Sequence, residues 1–177
     1  MGTKSELKIV YTRDEIAVLV KRLAGEIERD YMDKNPVLIG ILRSSFIFMS
    51  DLIREMNFPL EIEFVRLSSY KSGTASSGRV EIIQGLVCDV ADRHVLIVED
   101  IVDTGQTVKY LLDSLRTRAP ASVKVCALAD KPSGRKYHVD INYFGFNAPD
   151  RFLVGYGLDL NERYRNLPDI YYIENGE

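Results

Sequence analysis

The chain alternates between two hydrophobic patterns, one with helical spacing and one of uninterrupted apolar runs. Behind a capping box that opens at Thr12 and closes at Glu15, apolar side chains recur every three or four positions, which predicts an amphipathic helix over residues 13–33. Residues 37–42 and 95–98 are almost wholly aliphatic, as is typical of strands buried on both faces of a parallel sheet. The pattern therefore predicts strands and helices that alternate along the chain.

The same patterns place the remaining elements. Further strands are predicted at residues 60–67, 123–129, 141–146 and 152–156, and further helices from Ser44 or Ser45 to about Asn57 and from Val108 to near Ala119. Strands that alternate with helices indicate an α/β fold, here a doubly wound, mainly parallel sheet flanked by helices. No repeat or linker divides the chain, so we expect one domain over residues 1–177.

Residues 68–80 interrupt this regularity. The segment SSYKSGTASSGRV is small, polar and nearly without apolar side chains, so we predict a mobile loop, with residues 80–83 available as a returning strand. Whether this loop is ordered without a ligand stays open at this point.

Composition and charge narrow the class of protein. The 177 residues are 46% hydrophobic, which suits one well-buried domain, and the net charge of −3 gives no electrostatic case for a nucleic-acid partner. Cys88 and Cys126 have apolar neighbours and no CxxC spacing, which argues against zinc and favours a reducing compartment. With no apolar run of membrane-spanning length and no signal-peptide pattern, we expect a cytoplasmic protein without a membrane partner.

The sequence VLIVEDIVDTGQT at residues 95–107 carries the densest chemistry. Glu99 and Asp100 follow the aliphatic run and are too costly to bury unpaired, so we expect the strand to end there. Ligands of open α/β sheets bind beyond the carboxyl ends of strands, where these acids suit two sugar hydroxyls, directly or through a divalent cation. The N–H groups of residues 103–107 begin a helix and, with two threonine hydroxyls, suit a monophosphate.

Taken singly, these residues have simpler explanations. Asp103 or Thr104 alone is more often a helix cap, and acids at a strand end are often only solvated. Three acids within five residues, after four aliphatic residues, are more than capping requires. The patterns GxxxxGK[ST] and GxGxxG are absent, which argues against nucleoside triphosphates and dinucleotides as ligands.

Residues 95–107 resemble the ribose-phosphate binding motif of the type I phosphoribosyltransferases, most closely in the hypoxanthine-guanine members. Other landmarks of that family follow in order along nearly the whole chain: residues 42–46 resemble its pyrophosphate loop, 69–78 its flexible catalytic loop, 130–132 its base-reading segment and 150–159 its purine pocket. The motif at 95–107 is specific alone, and the others are specific as an ordered set. The resemblance implies the family's fold, with a small hood and a flexible loop.

The resemblance also implies the reaction. The 5-phosphoribosyl group would pass from phosphoribosyl pyrophosphate to N9 of hypoxanthine, and also of guanine, with Mg²⁺ as cofactor, in a step of purine salvage. Asp103 would accept the purine N7 proton, and an Asp is ionised at neutral pH. Glu99 and Asp100 would hold the ribose hydroxyls and Mg²⁺, while Asp159 would contact a second Mg²⁺ on pyrophosphate.

The remaining implied contacts distribute the substrate's groups over the chain. The 5′-phosphate would bind Asp103, Thr104, Gly105, Gln106 and Thr107; pyrophosphate would bind Arg43, Ser44 and Arg165; Ser69 and Tyr70 would close over the site; and the base would meet Lys131, Phe152 and the backbone of Leu153. Each residue type also has an ordinary explanation: a solvated lysine, a phenylalanine in a strand core, a loop-capping aspartate, a surface arginine pair and a plain mobile loop.

One departure from the family concerns the pyrophosphate loop. The family usually has Lys-Gly after the leucine, where this chain has Arg43-Ser44, and a non-proline cis peptide is implied between Leu42 and Arg43. The positive charge is kept, but Ser tolerates unusual backbone angles less well than Gly. Pyrophosphate affinity is the property that this change bears on.

Two rival functions stay open from the sequence. An RNA-binding regulator on the same fold would need a basic face, against which the acidic balance argues. A xanthine-specific enzyme would differ at contacts to position 2 of the base, which residue types do not decide. The resemblance further implies a homodimer or homotetramer, with no interface assigned.

Overall fold

The computed structural model describes residues 6–72 and 75–174, apart from the side chains of residues 68–82. Within these ranges the elements are β1 (Glu6–Tyr11), α1 (Arg13–Tyr31), β2 (Val37–Leu42), α2 (Phe46–Arg54), β3 (Glu61–Ser72), β4 (Ala75–Gln84), β5 (His94–Val102), α3 (Gln106–Arg116), β6 (Ser122–Asp130), a short 3-10 helix (Pro132–Gly134), β7 (Tyr143–Asn147), β8 (Leu153–Val154) and β9 (Ile170–Glu174). None of the described helices is both long and apolar enough to cross a membrane.

Six strands form the main sheet in the order β4-β3-β2-β5-β6-β7. The strands β3, β2, β5, β6 and β7 run parallel, and β4 is antiparallel at one edge. Helices α1 and α2 pack on one face and α3 on the other. This arrangement confirms the doubly wound, mainly parallel α/β fold.

A smaller antiparallel sheet, β1-β9-β8, forms a hood beside the main sheet. It unites the first and last described strands with the two-residue strand β8. Beyond β8 the backbone turns through Gly155, Tyr156 and Gly157, all with positive φ, so the strand predicted over 152–156 is only two residues long. The hood thereby delivers a tight turn, rather than a long strand, to the edge of the main sheet.

The central strand β5 shows why its sequence is continuously aliphatic. Leu96 and Val98 belong to the core under α1 and α2, whereas Val95 and Ile97 belong to the core under α3. All four side chains are fully buried. A strand covered on both faces has no solvent side, so alternation between polar and apolar residues disappears.

Helices α1 and α2 begin as predicted, α3 begins at Gln106 rather than Val108, and all three end earlier than predicted. The capping box of Thr12 and Glu15 is present at α1, but Ser45 at the start of α2 donates its hydroxyl to the Ile41 carbonyl and caps nothing. After all three helices the chain continues in i→i−3 hydrogen bonds, such as Met56 N–H to the Ile53 carbonyl. These tighter turns keep the apolar pattern while leaving the α-helix, which explains the overextended predictions.

The loop predicted at residues 68–80 is wrong as an assignment of backbone structure. Strand β3 continues to Ser72 and β4 begins at Ala75, and the two pair antiparallel, with Ser69 opposite Val80. Main-chain hydrogen bonds hold such a hairpin without apolar anchors, so a rule based on side-chain pattern misses it. Residues 73 and 74 lie outside the described part, and the mobility of the segment stays a prediction.

Candidate active site

A cavity of about 260 Å³ opens where β5 and β6 end and the hood begins. Its walls combine residues from four separate segments of the chain: Ser44, Glu99, Asp100, Ile101, Asp103, Lys131, Arg151, Phe152, Leu153, Leu158 and Asp159. The position agrees with the rule that ligands of doubly wound sheets bind beyond the carboxyl ends of parallel strands. The fold thus brings together in one cavity eight of the sixteen residues that the sequence nominated.

Two carboxylates near the end of β5 line this cavity, and of these Asp100 is buried and Glu99 is half-buried. Strand β5 does not end at Glu99, as predicted, but continues through both acids to Val102. One oxygen of each, Oε2 of Glu99 and Oδ2 of Asp100, is buried without a hydrogen-bond partner among the described residues. Burial raises the pKa of Glu99 well above its usual range, and neighbouring Asp100 adds to this. Burial also raises the pKa of Asp100 to about 6, although a hydrogen bond with Ser44 opposes the shift.

The carboxylates fit a metal ion that is shared with a substrate. Among the described residues, no group of three or more His, Cys, Asp or Glu side chains could hold a metal alone. Mg²⁺ usually takes only one or two protein carboxylates and fills its octahedron with water and substrate oxygens. Glu99 and Asp100 offer unpartnered oxygens of that kind. Asp159, the third predicted ligand, is 2.7 Å from Nη2 of Arg165 and accepts the N–H of Glu162.

Asp103 does not cap the helix that follows it. The N-cap of α3 is Gly105, and the Gln106 N–H is accepted by the Thr104 hydroxyl at 3.3 Å. Oδ1 of Asp103 is buried without a described partner, beside Gly134, where an added Cβ would lie 1.7 Å away. Asp103 is therefore not a helix cap. It lines the cavity, where its carboxylate is available to a ligand.

The turn from β5 to α3 has the geometry of an anion site. Gly105 adopts φ of 79°, and a Cβ there would lie 2.6 Å from the Tyr137 carbonyl, so only glycine fits without strain. Thr104 anchors the turn by accepting the N–H groups of Lys136 and Tyr137 at 3.0 Å. Gln106 and Thr107 lie in the first turn of α3, and the start of a helix attracts anions.

The exposure of the residues expected to contact a purine does not fit a solvated surface lysine or a phenylalanine in a strand core. The side chain of Lys131 is only 16% exposed, and its Nζ donates to the Arg151 carbonyl at 3.3 Å, so it is not a solvated surface lysine. Phe152 is 53% exposed, so it is not part of a strand core. Leu153 is buried in β8 and lines the cavity. An exposed ring beside a shielded ammonium group suits a flat, polar-edged ligand.

The other wall comes from the loop after β2. The peptide between Leu42 and Arg43 is cis, as the family resemblance implies. Arg43 lies 2.7 Å from Glu162, and Arg165 donates to the Gly157 carbonyl at 2.8 Å, so both arginines reach the turn that carries Asp159. The backbone of Ser44 lies so close to Gly157 that a Cβ added at Gly157 would be 2.3 Å from the Ser44 carbonyl oxygen.

Two of the predicted residues and two unpredicted ones complete the description. Ser69 and Tyr70 lie on β3, and their side chains are outside the described part. Arg135 donates to the carbonyls of Asp103 and Val102 at 3.0 and 2.9 Å and pairs with Asp130. Glu162 contacts two arginines. Sequence reasoning assigned neither residue a role, because the carbonyls that Arg135 contacts are distant from it in sequence, as Arg43 is from Glu162.

Comparison with known proteins places the chain among relatives. The phosphoribosyl transferase domain family matches residues 7–161. The hypoxanthine-guanine phosphoribosyltransferase of Streptococcus pneumoniae is 47% identical over 92% of this chain and 91% of its own length, and that of Bacillus subtilis is 46% identical over the same shares. A solved hypoxanthine phosphoribosyltransferase from Staphylococcus aureus superposes with a TM-score of 0.90 at 41% identity, covering 94% of this chain and 91% of the other.

Proposed function

Because the chain belongs to the phosphoribosyltransferase family, we propose that it transfers the 5-phosphoribosyl group from phosphoribosyl pyrophosphate to hypoxanthine or guanine in purine salvage. The products are IMP or GMP and pyrophosphate. One observation carries the proposal: a single cavity joins Glu99 and Asp100, each with one carboxylate oxygen that lacks a described partner, to Lys131 and the exposed ring of Phe152. A sugar site and a base site therefore share one space.

The sugar half of the substrate fits the end of β5. An ionised carboxylate accepts hydrogen bonds and donates none, whereas a hydroxyl can donate. Glu99 and Asp100 therefore match the two ribose hydroxyls. The glycine turn and the first N–H groups of α3 match the 5′-phosphate. Mg²⁺, when bound by the carboxylates and the substrate, supplies positive charge that makes pyrophosphate a better leaving group.

The base half fits the hood. Lys131 donates to the exocyclic O6 of a 6-oxopurine, Phe152 stacks on the ring, and the backbone of Leu153 meets its edge. This pairing selects for an oxygen acceptor at position 6, since an ammonium group has donors and no acceptor. It leaves xanthine as a substrate to be tested rather than excluded.

Asp103 stands between the two halves. In the reaction the bond from N9 to C1′ forms while the bond from C1′ to pyrophosphate oxygen breaks, and pyrophosphate leaves with the electron pair. The purine loses its N7 proton, which Asp103 accepts. The buried acids around the sugar stabilise the positive charge that develops at C1′.

A nucleobase panel tests the proposal. The protein is incubated with phosphoribosyl pyrophosphate, Mg²⁺ and hypoxanthine, guanine, xanthine or adenine, and pyrophosphate release is followed. We expect turnover with hypoxanthine and guanine and none with adenine, whose 6-amino group cannot accept from Lys131. Turnover with xanthine alone would reassign the substrate, and no turnover with any base would refute the activity.

The Lys131→Ala variant tests the base contact in the same assay. We expect hypoxanthine and guanine turnover to fall by about 100-fold or more, because O6 of the bound purine would lose its charged hydrogen-bond donor. Lys136→Ala, on the following turn, serves as the control and should retain activity. Retained hypoxanthine turnover in Lys131→Ala would show that another group reads O6.

The setting of the enzyme is part of the proposal. A cytoplasmic location suits a salvage enzyme with free cysteines at 88 and 126. We further propose one domain over residues 1–177 and a homodimer or homotetramer, with no nucleic-acid or membrane partner. Sedimentation velocity of the purified protein measures the oligomeric state directly.

A further inference from the structure

The two arginines proposed for pyrophosphate share a carboxylate of the chain itself. Nη2 of Arg43 lies 2.7 Å from Oε1 of Glu162, and Nη2 of Arg165 lies 3.2 Å from Oε2 of the same side chain. Arg43 comes from the loop after β2 and Arg165 from the segment before β9, so Glu162 bridges opposite walls. It gives one oxygen to each guanidinium, which is how two oxygens of a phosphate group would be bound.

The backbone fixes Glu162 in this position. Asn161, Glu162 and Tyr164 have φ of 52°, 63° and 76°, in the left-handed region that non-glycine residues seldom adopt. The Glu162 N–H donates to Oδ2 of Asp159 at 2.8 Å, which ties the turn to a proposed metal ligand. Strained backbone of this kind persists where its surroundings hold it, and it clusters at functional sites.

Space for an anion lies next to the bridge. A cavity of about 570 Å³ is lined by six residues that include both arginines and Glu162: Leu42, Arg43, Phe46, Phe64, Glu162 and Arg165. The side chains of Arg43 and Glu162 are 53% and 56% exposed, so their ion pair is weak and exchanges readily. Arg165 is more shielded, and it also pairs with Asp159 and donates to the Gly157 carbonyl, so Glu162 is one of several groups that it contacts.

We propose that Glu162 competes with pyrophosphate for Arg43 and Arg165 and thereby lowers the affinity of the site for that group. The inference rests on the proposed function, since it assigns the arginines to pyrophosphate. A ligand that must displace an internal partner binds with its affinity reduced by the fraction of molecules in which the site is free. The consequence is a faster release of the product pyrophosphate. Glu162 acts through the arginines and is a positioning residue.

Titration calorimetry with inorganic pyrophosphate and Mg²⁺ tests the competition. Glu162→Gln keeps the shape and removes the charge, so we expect pyrophosphate to bind about fivefold more tightly, as the loss of one exposed ion pair implies. Glu61→Gln is the matched control, because Glu61 is 51% exposed and pairs with Arg93 at 2.8 Å on another part of the sheet. It should leave the affinity unchanged.

A gain in affinity separates competition from a structural role, because damage to the turn would weaken binding. Unchanged or weaker pyrophosphate binding in Glu162→Gln would therefore overturn the inference. The gain should shrink in an Arg43→Met background, where one competed group is gone, and an undiminished gain would also contradict it. In steady state, the inhibition constant of pyrophosphate should fall by the same factor while the KM for hypoxanthine stays constant.

The outcomes distinguish the two proposals. If the wild-type protein forms IMP but Glu162→Gln binds pyrophosphate no more tightly, the inference fails and the proposed function stands. If the wild-type protein neither forms a nucleotide nor binds pyrophosphate, both fail.

Discussion

At the scale of a single residue, Asp100 shows that a side chain of the site lowers the stability of the fold. Its side chain is 3% exposed in the middle of a strand, and one of its oxygens has no described partner. Burial raises its pKa from 3.8 to about 6, so the folded chain binds this proton more tightly than the unfolded chain does. A group of this kind contributes stability at low pH that is lost as the pH rises through the folded-state pKa.

Removing the charge of Asp100 should therefore stabilise the metal-free protein. For Asp100→Asn, we expect a free energy of unfolding higher by up to about 3 kcal/mol at pH 8, with the difference shrinking towards pH 5. Urea denaturation in the presence of a chelator at several pH values measures this. Asp140→Asn, at a side chain that is 87% exposed, is the control and should change little. A variant less stable than the wild type at pH 8 would contradict the argument.

Asp103 makes a separate prediction at the same scale. Asp103→Asn should lower kcat by about 100-fold or more, since general-base catalysis contributes on that order, while phosphoribosyl pyrophosphate still binds. Steady-state kinetics and calorimetry measure the two properties. Asp113→Asn, on the outer face of α3, should affect neither. Undiminished turnover in Asp103→Asn would remove Asp103 from the role of base.

At the scale of elements, the short segment after β6 that contains the 3-10 helix joins base recognition to catalysis. It begins with Lys131, whose N–H donates to the Val102 carbonyl, and it ends with Arg135, which donates to the carbonyls of Val102 and Asp103. The residue proposed to read O6 and the residue proposed to accept the N7 proton are thus held by one short segment. A shift of either would displace the other.

Replacing Arg135 should lower kcat more than it changes KM. In Arg135→Lys, the compact ammonium group lacks the planar fork of donors that reaches two carbonyls and Asp130 at once, so we expect kcat to fall by about tenfold or more, with a smaller change in the KM for phosphoribosyl pyrophosphate. Arg116→Lys, whose side chain is 69% exposed on α3, is the matched control. An unchanged kcat, or a loss of folding in the variant, would contradict a positioning role.

The elements also show how far the sequence reaches. The buried strands β2, β5 and β6 were predictable because burial on both faces leaves a continuous aliphatic run. The hairpin of β3 and β4 was not, because main-chain hydrogen bonds carry it and its side chains show no period. The carboxylates at 99 and 100 were found from their residue type, but the continuation of β5 through them was not, because local rules count only the cost of burying charge. The contacts of Arg135 with the carbonyls of residues 102 and 103, and of Glu162 with Arg43, are distant in sequence, so local rules do not show them.

At the scale of the whole molecule, both sheets contribute to the site, and the base half lies between them. The main sheet provides the carboxylates and the anion turn, and the hood provides Phe152 and Leu153. Neither sheet holds a complete metal site, since no described group of three or more ligand side chains is present. The substrate is therefore expected to complete the metal's coordination.

Thermal unfolding with added ligands tests this dependence. Phosphoribosyl pyrophosphate together with Mg²⁺ should raise the Tm by about 5 °C or more at saturating concentrations, because ligands that bind only the folded state stabilise it. Mg²⁺ alone should shift the Tm little, since the carboxylates lack further ligands. A full shift with Mg²⁺ alone would show that the protein holds the metal without the substrate.

The pairing of β1 with β9 sets an order of events during synthesis. Glu6 lies opposite Glu174 and Leu7 opposite Ile173, so the hood closes only between the earliest and latest described segments. A chain growing on a ribosome acquires β2, β5 and β6 first, and with them the acids and the glycine turn. Until β9 emerges, β1 has no partner strand and Leu153 has no sheet to join. The nascent chain thus has the means to hold a sugar phosphate well before it has a place for the base.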